Sequence, residues 1–533
     1  MNAEALQVDV DVDVDVVIVG AGPTGLMSAL LLADRGHEVA LVEKWPEPYP
    51  LPRAVGINHE TLRALQRAKV IDYVRPNVLF TADGSRVRQV MTADGEVLSV
   101  RTDSATSPSG WPERASFYQP DFERTLNERA VLHPRVNVLR GWNATRVVDG
   151  TSGVTVEAVR HGDGETGTLR ARGRYVIGCD GANSIVRVGE LTDVDDLGFA
   201  YDWLVVDIVP HAVRSFTPNL GQILGPPRPT TMVGGGPRRR RWEFMRLDGE
   251  TAEELNQPEA AWRLLAPFDV RPDNATLERH AVYTFRALWA TRWRAGRAML
   301  AGDAAHLMPP FLGEGFNSGV RDAMAVTWRL DLILRGLAPD SLLDSYTTER
   351  ITHVREIIEQ AVQLGRMICI TDPDEAEARN ARLRATRDQQ VVETRPAPWR
   401  LGDGAWMSSD AHAGYLGVQG RVARDGTEGR FDDVVPNGGF VLVSAGEDPA
   451  PMLSPETGAA WAAIGGACVH FGTGSPIADV DGTYAAWFAE REIGLALFRP
   501  DFYVFGTAPS VDGADRLVRN LIARLGVTPA IAR

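Results

Sequence analysis

Val16-Val17-Ile18-Val19-Gly20-Ala21-Gly22-Pro23-Thr24-Gly25 is a short apolar run ending in a glycine-rich turn, and Leu26, Ala29, Leu30 and Ala33 follow it at helical spacing. This order predicts a buried strand that turns directly into a helix. Gly20 allows the tight turn, Gly22 lets the backbone approach a pyrophosphate, and Gly25 lets helix and strand pack closely. The helix N-terminus, opened by Pro23 and Thr24, offers free N–H groups and partial positive charge to phosphates. A second apolar run, Val39-Ala40-Leu41-Val42, ends in Glu43-Lys44. A carboxylate at Glu43 can accept hydrogen bonds from ribose hydroxyls and would repel a 2′-phosphate. Strand, glycines, helix and acid in this order indicate a dinucleotide-binding α/β fold.

Working outward, 533 residues that are 44% hydrophobic suffice for two or three domains with their own cores. No apolar stretch reaches about 18 residues, so no membrane span is expected. A basic n-region followed by an apolar h-region is also missing, and Cys179, Cys369 and Cys468 are odd in number and far apart. A reducing, cytoplasmic setting is the expectation. The net charge of −14 argues against a nucleic-acid partner. No metal site is assigned. The alternating run from Val8 to Asp15 reads as a polar-faced strand extension or a loose tail.

The first strand–helix–strand unit runs to about residue 70, and its proline-rich connection from Pro46 to Pro52 cannot be helical. Phe117-Tyr118-Gln119-Pro120 starts a helix carrying Phe122, Leu126 and Ala130, followed by a strand from Val136 to Arg140 and a hairpin around Gly150 to Gly153. Tyr175-Val176-Ile177-Gly178-Cys179-Asp180-Gly181 and Ala298-Met299-Leu300-Ala301-Gly302-Asp303 are again apolar strands ending at an acid. Between these two strands, Trp203 to Val209 and Arg241 to Leu247 read as mostly antiparallel sheet. Segments 1–75, 116–190 and 291–395 are therefore expected to form a discontinuous nucleotide domain, interrupted by a sheet from 76–115 and 191–290 that faces the substrate. A proline-containing linker near 396–398 leads to a third α/β domain over 396–533.

Three stretches carry a resemblance: Gly20 to Gly25, Cys179-Asp180-Gly181-Ala182-Asn183-Ser184-Ile185-Val186-Arg187, and Ala301 to Asp322 with Gly302-Asp303-Ala304-Ala305-His306 and Pro309-Pro310. On these the chain resembles the class A flavin-dependent aromatic hydroxylases. Leu51 to Gly56, Gly110-Trp111-Pro112 before Gln119-Pro120, and Arg239 to Phe244 make it most similar to the 3-(3-hydroxyphenyl)propionate hydroxylase group. The resemblance implies a Rossmann-like FAD-binding domain, a substrate-binding sheet and a C-terminal thioredoxin-like domain without redox cysteines. It also implies FAD as cofactor, NADH or NADPH as transient co-substrate, and O₂. The oxidoreductase reaction implied is hydroxylation of a phenolic ring, in aromatic catabolism, through a flavin C4a-hydroperoxide.

By the same resemblance, the FAD-binding set is Gly20, Gly22, Pro23, Thr24, Gly25, Glu43, Lys44, Arg53, Gln119, Asp180, Gly302, Asp303, Pro310, Gly313, Gly315, Phe316 and Asn317. Asp303 would contact the ribityl chain, and Pro310 to Asn317 would lie along the isoalloxazine with N–H groups toward its pyrimidine end. Asp180 is implied in FAD and pyridine-nucleotide binding, against a plain strand-end salt bridge with Arg187. Glu314, where related sequences commonly carry Gln, is expected to point to solvent. Phe316-Asn317 departs from the Met-Cys pair of the narrower group.

No second Gly-x-Gly-x-x-Gly opens a helix and no Cys-x-x-Cys is present, so NAD(P)H has no Rossmann domain of its own and disulfide-reductase chemistry is excluded. The chemistry belongs to the flavin; His306 and Pro310 are the weak candidates for a direct catalytic role. Tyr201, Trp203, Gln222, Trp242 and Tyr283 are candidates to face a small aromatic substrate, while Arg238 to Arg241 read as a solvated turn. The leading substrate is a 3-(3-hydroxyphenyl)propionate-like acid. Alternatives are a tailoring or drug-inactivating hydroxylase of a polycyclic aromatic, and a non-catalytic FAD-fold binding protein. The C-terminal domain is read as a cover or a subunit contact, which leaves a homodimer open.

Overall fold

The computed structural model describes residues 7–80, 86–162, 166–187, 191–388, 398–435 and 438–527. Of the expected linker near 396–398, residues 396 and 397 lie outside the described residues, as do the first six residues of the expected first domain.

Val16–Val19 forms a strand buried along its length and lies in the middle of a sheet in the order Arg294–Ala295, Ala298–Leu300, Tyr175–Gly178, Val16–Val19, Val39–Glu43 and Val136–Arg140. All pairings are parallel except the Arg294–Ala295 edge. Continuous apolar strands suit this sheet because both its faces are covered. Helix Pro23–Ala33 is buried at every residue from Gly25 to Ala33, as expected of a helix sandwiched between layers. The strand Gln7–Asp13 pairs in parallel with Thr166–Gly173, so the alternating Val/Asp run is a sheet strand and not a loose tail.

The second large sheet has the order His306–Leu307, Ala275–Ala290, Val194–Pro210, Arg240–Met245, Thr230–Gly234, Leu220–Ile223, Arg86–Met91 and Val97–Asp103. It is antiparallel except where Leu220–Ile223 meets Arg86–Met91. Side chains alternate between its two faces. Leu204, Val206, Ile208, Trp242 and Phe244 fill one face under the helix Pro258–Leu265. The opposite face, carrying Tyr201, Trp203, Val205 and Asp207, meets the nucleotide layer.

Two long helices, Gly315–Leu334 and Leu342–Ile368, close the nucleotide layer. Beyond residue 398, Val441–Ser444, Pro455–Ala463, Ala467–His470, Thr483–Arg491, Leu495–Phe498, Val504–Ala508 and Ala514–Leu525 follow in βαβαββα order. The sheet order, with Val441–Ser444 between Ala467–His470 and Leu495–Phe498, is thioredoxin-like. Cys468 on its second strand is a free, single thiol.

Candidate active site

At the glycine turn, three glycines do three different things. A Cβ at Gly25 would stand 1.9 Å from the Gly20 carbonyl oxygen, and one at Gly20, where φ is +100°, would stand 2.4 Å from the Cys179 oxygen. Both positions are closed by backbone. At Gly22 an added Cβ meets nothing within 4 Å, so the turn opens outward there. Gly22 also caps helix Pro23–Ala33, with no side chain on the first-turn N–H groups and no acid in that turn. The open cradle suits an anion. Glu43 closes its rim: one carboxylate oxygen accepts from the Ala21 N–H at 2.8 Å and the other from the Trp45 N–H at 2.9 Å. Lys44 sits over the exposed Trp45 ring, and Arg53 over Tyr49. The buried Gln119 accepts from the Ala54 N–H at 2.5 Å, fixing the loop that bears Arg53, and donates to Glu123.

The turn from Gly302 to Asn317 faces that cradle across Thr24. A Cβ on Gly302 or on Gly319 would fall within 2.7 Å or 2.3 Å of the Thr24 hydroxyl, so the two halves close on each other through glycine. Asp303 is exposed and makes no hydrogen bond among the described residues. The walls around it nevertheless displace enough water to raise its pKa, as expected of a carboxylate in a cleft. Behind it, Asp322 accepts from the Gly302 N–H at 2.9 Å, from His306 Nε2 at 2.8 Å and from Arg350 Nε at 2.8 Å. Burial would raise the Asp322 pKa, but Arg350 and His306 hold it below the usual carboxylate range. His306 has no exposed side-chain surface and its Nε2 is committed to Asp322. Its expected candidacy as a base is corrected: no substrate can reach it, and it holds the turn in place.

Glu314 is the second correction. Expected to point to solvent, it is 1% exposed and bound by Arg114 Nη2 at 2.7 Å, Arg321 Nη1 at 2.9 Å and Asn58 Nδ2 at 3.1 Å. Burial pushes its pKa up, and Arg321 and Arg114 outweigh that to keep it ionised. Arg114 also donates to the Leu312 carbonyl, supporting the turn Pro310–Leu312. Gly313 follows with φ at +65°, and Gly315 begins the long helix, whose N-terminus has no side-chain cap. Asn317 accepts from the Asn58 N–H and the Thr61 hydroxyl and donates to the Gly313 carbonyl, while Phe316 packs on Phe117 and Phe122. The segment is thus rigid and presents its backbone.

Asp180 lies nearby, but its oxygens accept from the Ser184 hydroxyl at 2.5 Å and the Ile185 N–H at 2.6 Å. Arg187 binds the carbonyls of Ala304 and Ala182, so the Asp180–Arg187 pair is not formed.

Across the cleft stands the sheet face of Tyr201, Trp203, Val205 and Asp207. Pairing places Tyr283 beside Trp203, Glu243 beside Val205 and Thr231, and Gln222 beside Thr231 on the same face. Trp203, Phe285 and Phe311 form a cluster with centroids 5.6–6.0 Å apart, and among the described residues the Trp203 indole N–H has no hydrogen-bond partner. Trp242 is corrected: it lies on the far face, packed with Phe216 and Phe268, away from the nucleotide layer. A one-residue step along a strand reverses the face. The arginine run is likewise not a solvated turn. Arg238 alone is in the turn with φ at +60°, Arg240 packs beside Phe216, and Arg241 is buried on Asp207 while donating to the Pro52 and Arg53 carbonyls.

An FAD binding domain family matches residues 13–361, and a HcaD C-terminal domain family matches residues 414–524. The chain belongs to the FAD-binding aromatic hydroxylases. It is 36% identical over 534 residues to a "Probable NADH-specific resorcinol 4-hydroxylase" of Rhodococcus jostii (strain RHA1), covering 96% of this chain and 95% of the relative. A 3-(3-hydroxy-phenyl)propionate/3-hydroxycinnamic acid hydroxylase of Paraburkholderia xenovorans (strain LB400) is 31% identical over 96% of this chain and 91% of the relative. The flavin-dependent monooxygenase PieE, solved with FAD and substrate, shares the fold with a TM-score of 0.81 at 21% identity, covering 97% of this chain and all of that one.

The hydroxylase is a flavoprotein monooxygenase with FAD as cofactor and NADH or NADPH and O₂ as co-substrates beside the aromatic substrate, and the reading as a non-catalytic FAD-fold protein is set aside. Its open cradle at Gly22, the uncapped helix above it and the unpartnered Asp303 fit an FAD pyrophosphate and ribityl chain. Among the described residues, no helix is long and apolar enough to cross a membrane. The sequence reading missed Arg114, Asn58, Arg321 and Glu243, which contact the site through space. Only a charged residue inside an otherwise apolar helix or strand could have flagged them.

Proposed function

We propose that this hydroxylase adds one oxygen atom to a single-ring phenol of the resorcinol or 3-hydroxyphenylpropionate kind, using NADH, in the cytoplasm. The observation that carries the reading is the aromatic wall of Trp203, Phe285 and Phe311, which joins the substrate sheet to the turn Pro310–Leu312. Two relatives are named for single-ring phenols, which supports the same size class.

In this reading the N–H groups at Gly22 to Gly25 hold the pyrophosphate, Glu43 the adenosine ribose and Asp303 the ribityl hydroxyls. Backbone N–H groups from Gly313 to Asn317 meet the pyrimidine end of the ring, where the helix N-terminus stabilises negative charge. Arg53 and Gln119 border the adenosine side. FAD, when bound, supplies the redox chemistry, accepting a hydride from NADH and activating O₂ for transfer to the ring. The protein's own residues orient the phenol against the cofactor edge and exclude water with the aromatic wall. The segments 1–75, 116–190 and 291–395 serve the cofactor, 76–115 and 191–290 the substrate, and 396–533 covers the body.

The test is NADH consumption by the FAD-loaded protein with resorcinol and with 3-(3-hydroxyphenyl)propionate, with products weighed by mass spectrometry. A substrate-dependent increase and a product heavier by one oxygen is expected with at least one. Stimulation by polycyclic phenols alone would overturn the size class.

A further inference from the structure

The inner sheet face touches the nucleotide layer at two points. At one end Arg241 donates to the Pro52 and Arg53 carbonyls; at the other Trp203 and Phe285 pack on Phe311. Glu243 stands between them. It shares a face with Arg241 two residues away, and its pairing partner Val205 lies between Trp203 and Asp207. An in-facing group at this position looks across the cleft at the space between the Arg53 loop and the Phe311 turn.

Glu243 is 7% exposed, yet among the described residues its carboxylate makes no hydrogen bond; the nearest cation is Arg241 Nη1 at 3.8 Å. Arg241 is instead committed to Asp207 at 2.8 and 2.9 Å. Arg279, 3.7 Å from Asp207, has unpartnered Nε and Nη1 atoms and sits over Tyr283. Thr231, next to Glu243 across the pair, donates to Gln222. A largely buried carboxylate without a donor is costly and calls for a partner from outside the chain. Burial raises its pKa, Arg241 and Arg279 pull it down and Asp207 pushes it up, with a net rise. That moves it toward the range in which a general base works best.

We propose that Glu243 is the catalytic residue that accepts the substrate's phenolic O–H and removes its proton. The proposal rests on the phenol-hydroxylase reading above. The phenolic O–H bond breaks and a carboxyl O–H forms on Glu243, leaving the electron pair on the phenolic oxygen. That pair enriches the ring carbon that receives oxygen from the cofactor. As the ring recovers aromaticity, the hydroxylated carbon loses its proton to water and Glu243 returns its own to the phenolic oxygen, so the carboxylate is regenerated.

The test compares wild type, Glu243→Gln and Glu243→Asp as FAD-loaded holoenzymes with resorcinol and 3-(3-hydroxyphenyl)propionate. FAD content, the pH profile of kcat and the ratio of hydroxylated product to H₂O₂ are read together. Glu243→Gln is expected to keep FAD, lower hydroxylation by about 10²-fold or more, shift NADH use toward H₂O₂ and lose the acidic limb of the profile. Glu243→Asp should recover part of the rate with a displaced limb. A Gln variant with wild-type rate, coupling and pH profile would overturn the assignment. Should the Gln variant not retain FAD, the Asp variant decides: a displaced limb supports the assignment, and an unchanged profile overturns it. Wild type inactive on every phenol offered removes the underlying reading, whereas active wild type beside an unimpaired Gln variant removes only the role of Glu243.

Discussion

Glu314 shows how one residue's meaning depends on its neighbours. A lone carboxylate at the N-terminus of the helix Gly315–Leu334 would oppose reduction of a flavin there, but Arg114 and Arg321 enclose it and, with Glu60 also bound to Arg321, the cluster balances in charge. Glu314→Gln removes the anion and keeps the shape. The expected result is a higher midpoint potential of bound FAD, on the order of 30 mV for a two-electron couple, or ~1.4 kcal/mol. Spectroelectrochemical titration of the holoenzyme measures it, and an unchanged or lower potential would count against a field acting on the flavin. Glu123 gives a pH signature at the same scale. Burial pushes its carboxyl up to about 7, so the fold favours the protonated form. Its contribution to stability is present in acid and declines as pH rises from the ordinary carboxylate range to about 7. Glu123→Gln should flatten that part of the stability curve in denaturant titrations.

At the scale of the element, the glycine turn separates folding from binding. Gly25→Ala forces a Cβ to 1.9 Å from a backbone oxygen that cannot move without parting strand from helix. Loss of folded protein is expected, seen as insoluble expression or a collapsed melting transition. Gly22→Ala has open space, so the melting temperature of the apoprotein should hold while FAD affinity falls, because the methyl occupies the side of the turn from which a pyrophosphate approaches. Equal melting and equal FAD affinity would place the pyrophosphate elsewhere. The strand–turn–helix was legible in the order of residues because the Gly20–Gly25 contact and the opening at Gly22 lie within one short segment, even though Gly20 and Thr24 also meet the distant Cys179 and Gly302.

At the scale of the whole molecule, the C-terminal domain is docked through buried charge. Glu349 in the helix Leu342–Ile368 is ion-paired with Arg329 at 2.7 Å and accepts from Arg499 at 2.8 and 3.0 Å and from the Ala405 N–H at 2.6 Å, and Asp501 joins Arg499 to the Trp328 indole. Tyr503 donates to Glu60 at 2.8 Å, and Glu60 binds Arg321, which reaches Glu314. The domain read as a cover therefore touches the cofactor segment through three residues. Glu349→Gln leaves two buried guanidiniums short of charge, and a loss of about 3–5 kcal/mol is expected by chemical denaturation. Burial would raise the pKa of Glu349 and of Asp501, but Arg329 and Arg499 hold them below the usual range. Their stabilisation is present above the ordinary carboxylate pKa and is lost as pH falls through the lowered values. Limited proteolysis across an acid titration should release the C-terminal domain before the nucleotide layer unfolds; simultaneous loss would contradict this.

The glycine turn, the acid at the end of the second strand and the Gly302-Asp303 turn were readable from the chain alone, since each is a short segment whose backbone geometry is dictated by its own residues. So were the α/β class, the inserted sheet and the absence of a redox cysteine pair. Which way Trp242, Glu243, Glu314 and Arg241 face was decided only by tertiary structure. On a strand, one step of register exchanges core for cleft, and a buried charge is tolerable only beside partners that lie 200 or more residues away in the chain for Glu314 and Asn58 or Arg114. Local sequence carries backbone geometry; the meeting of distant charges depends on how the layers close.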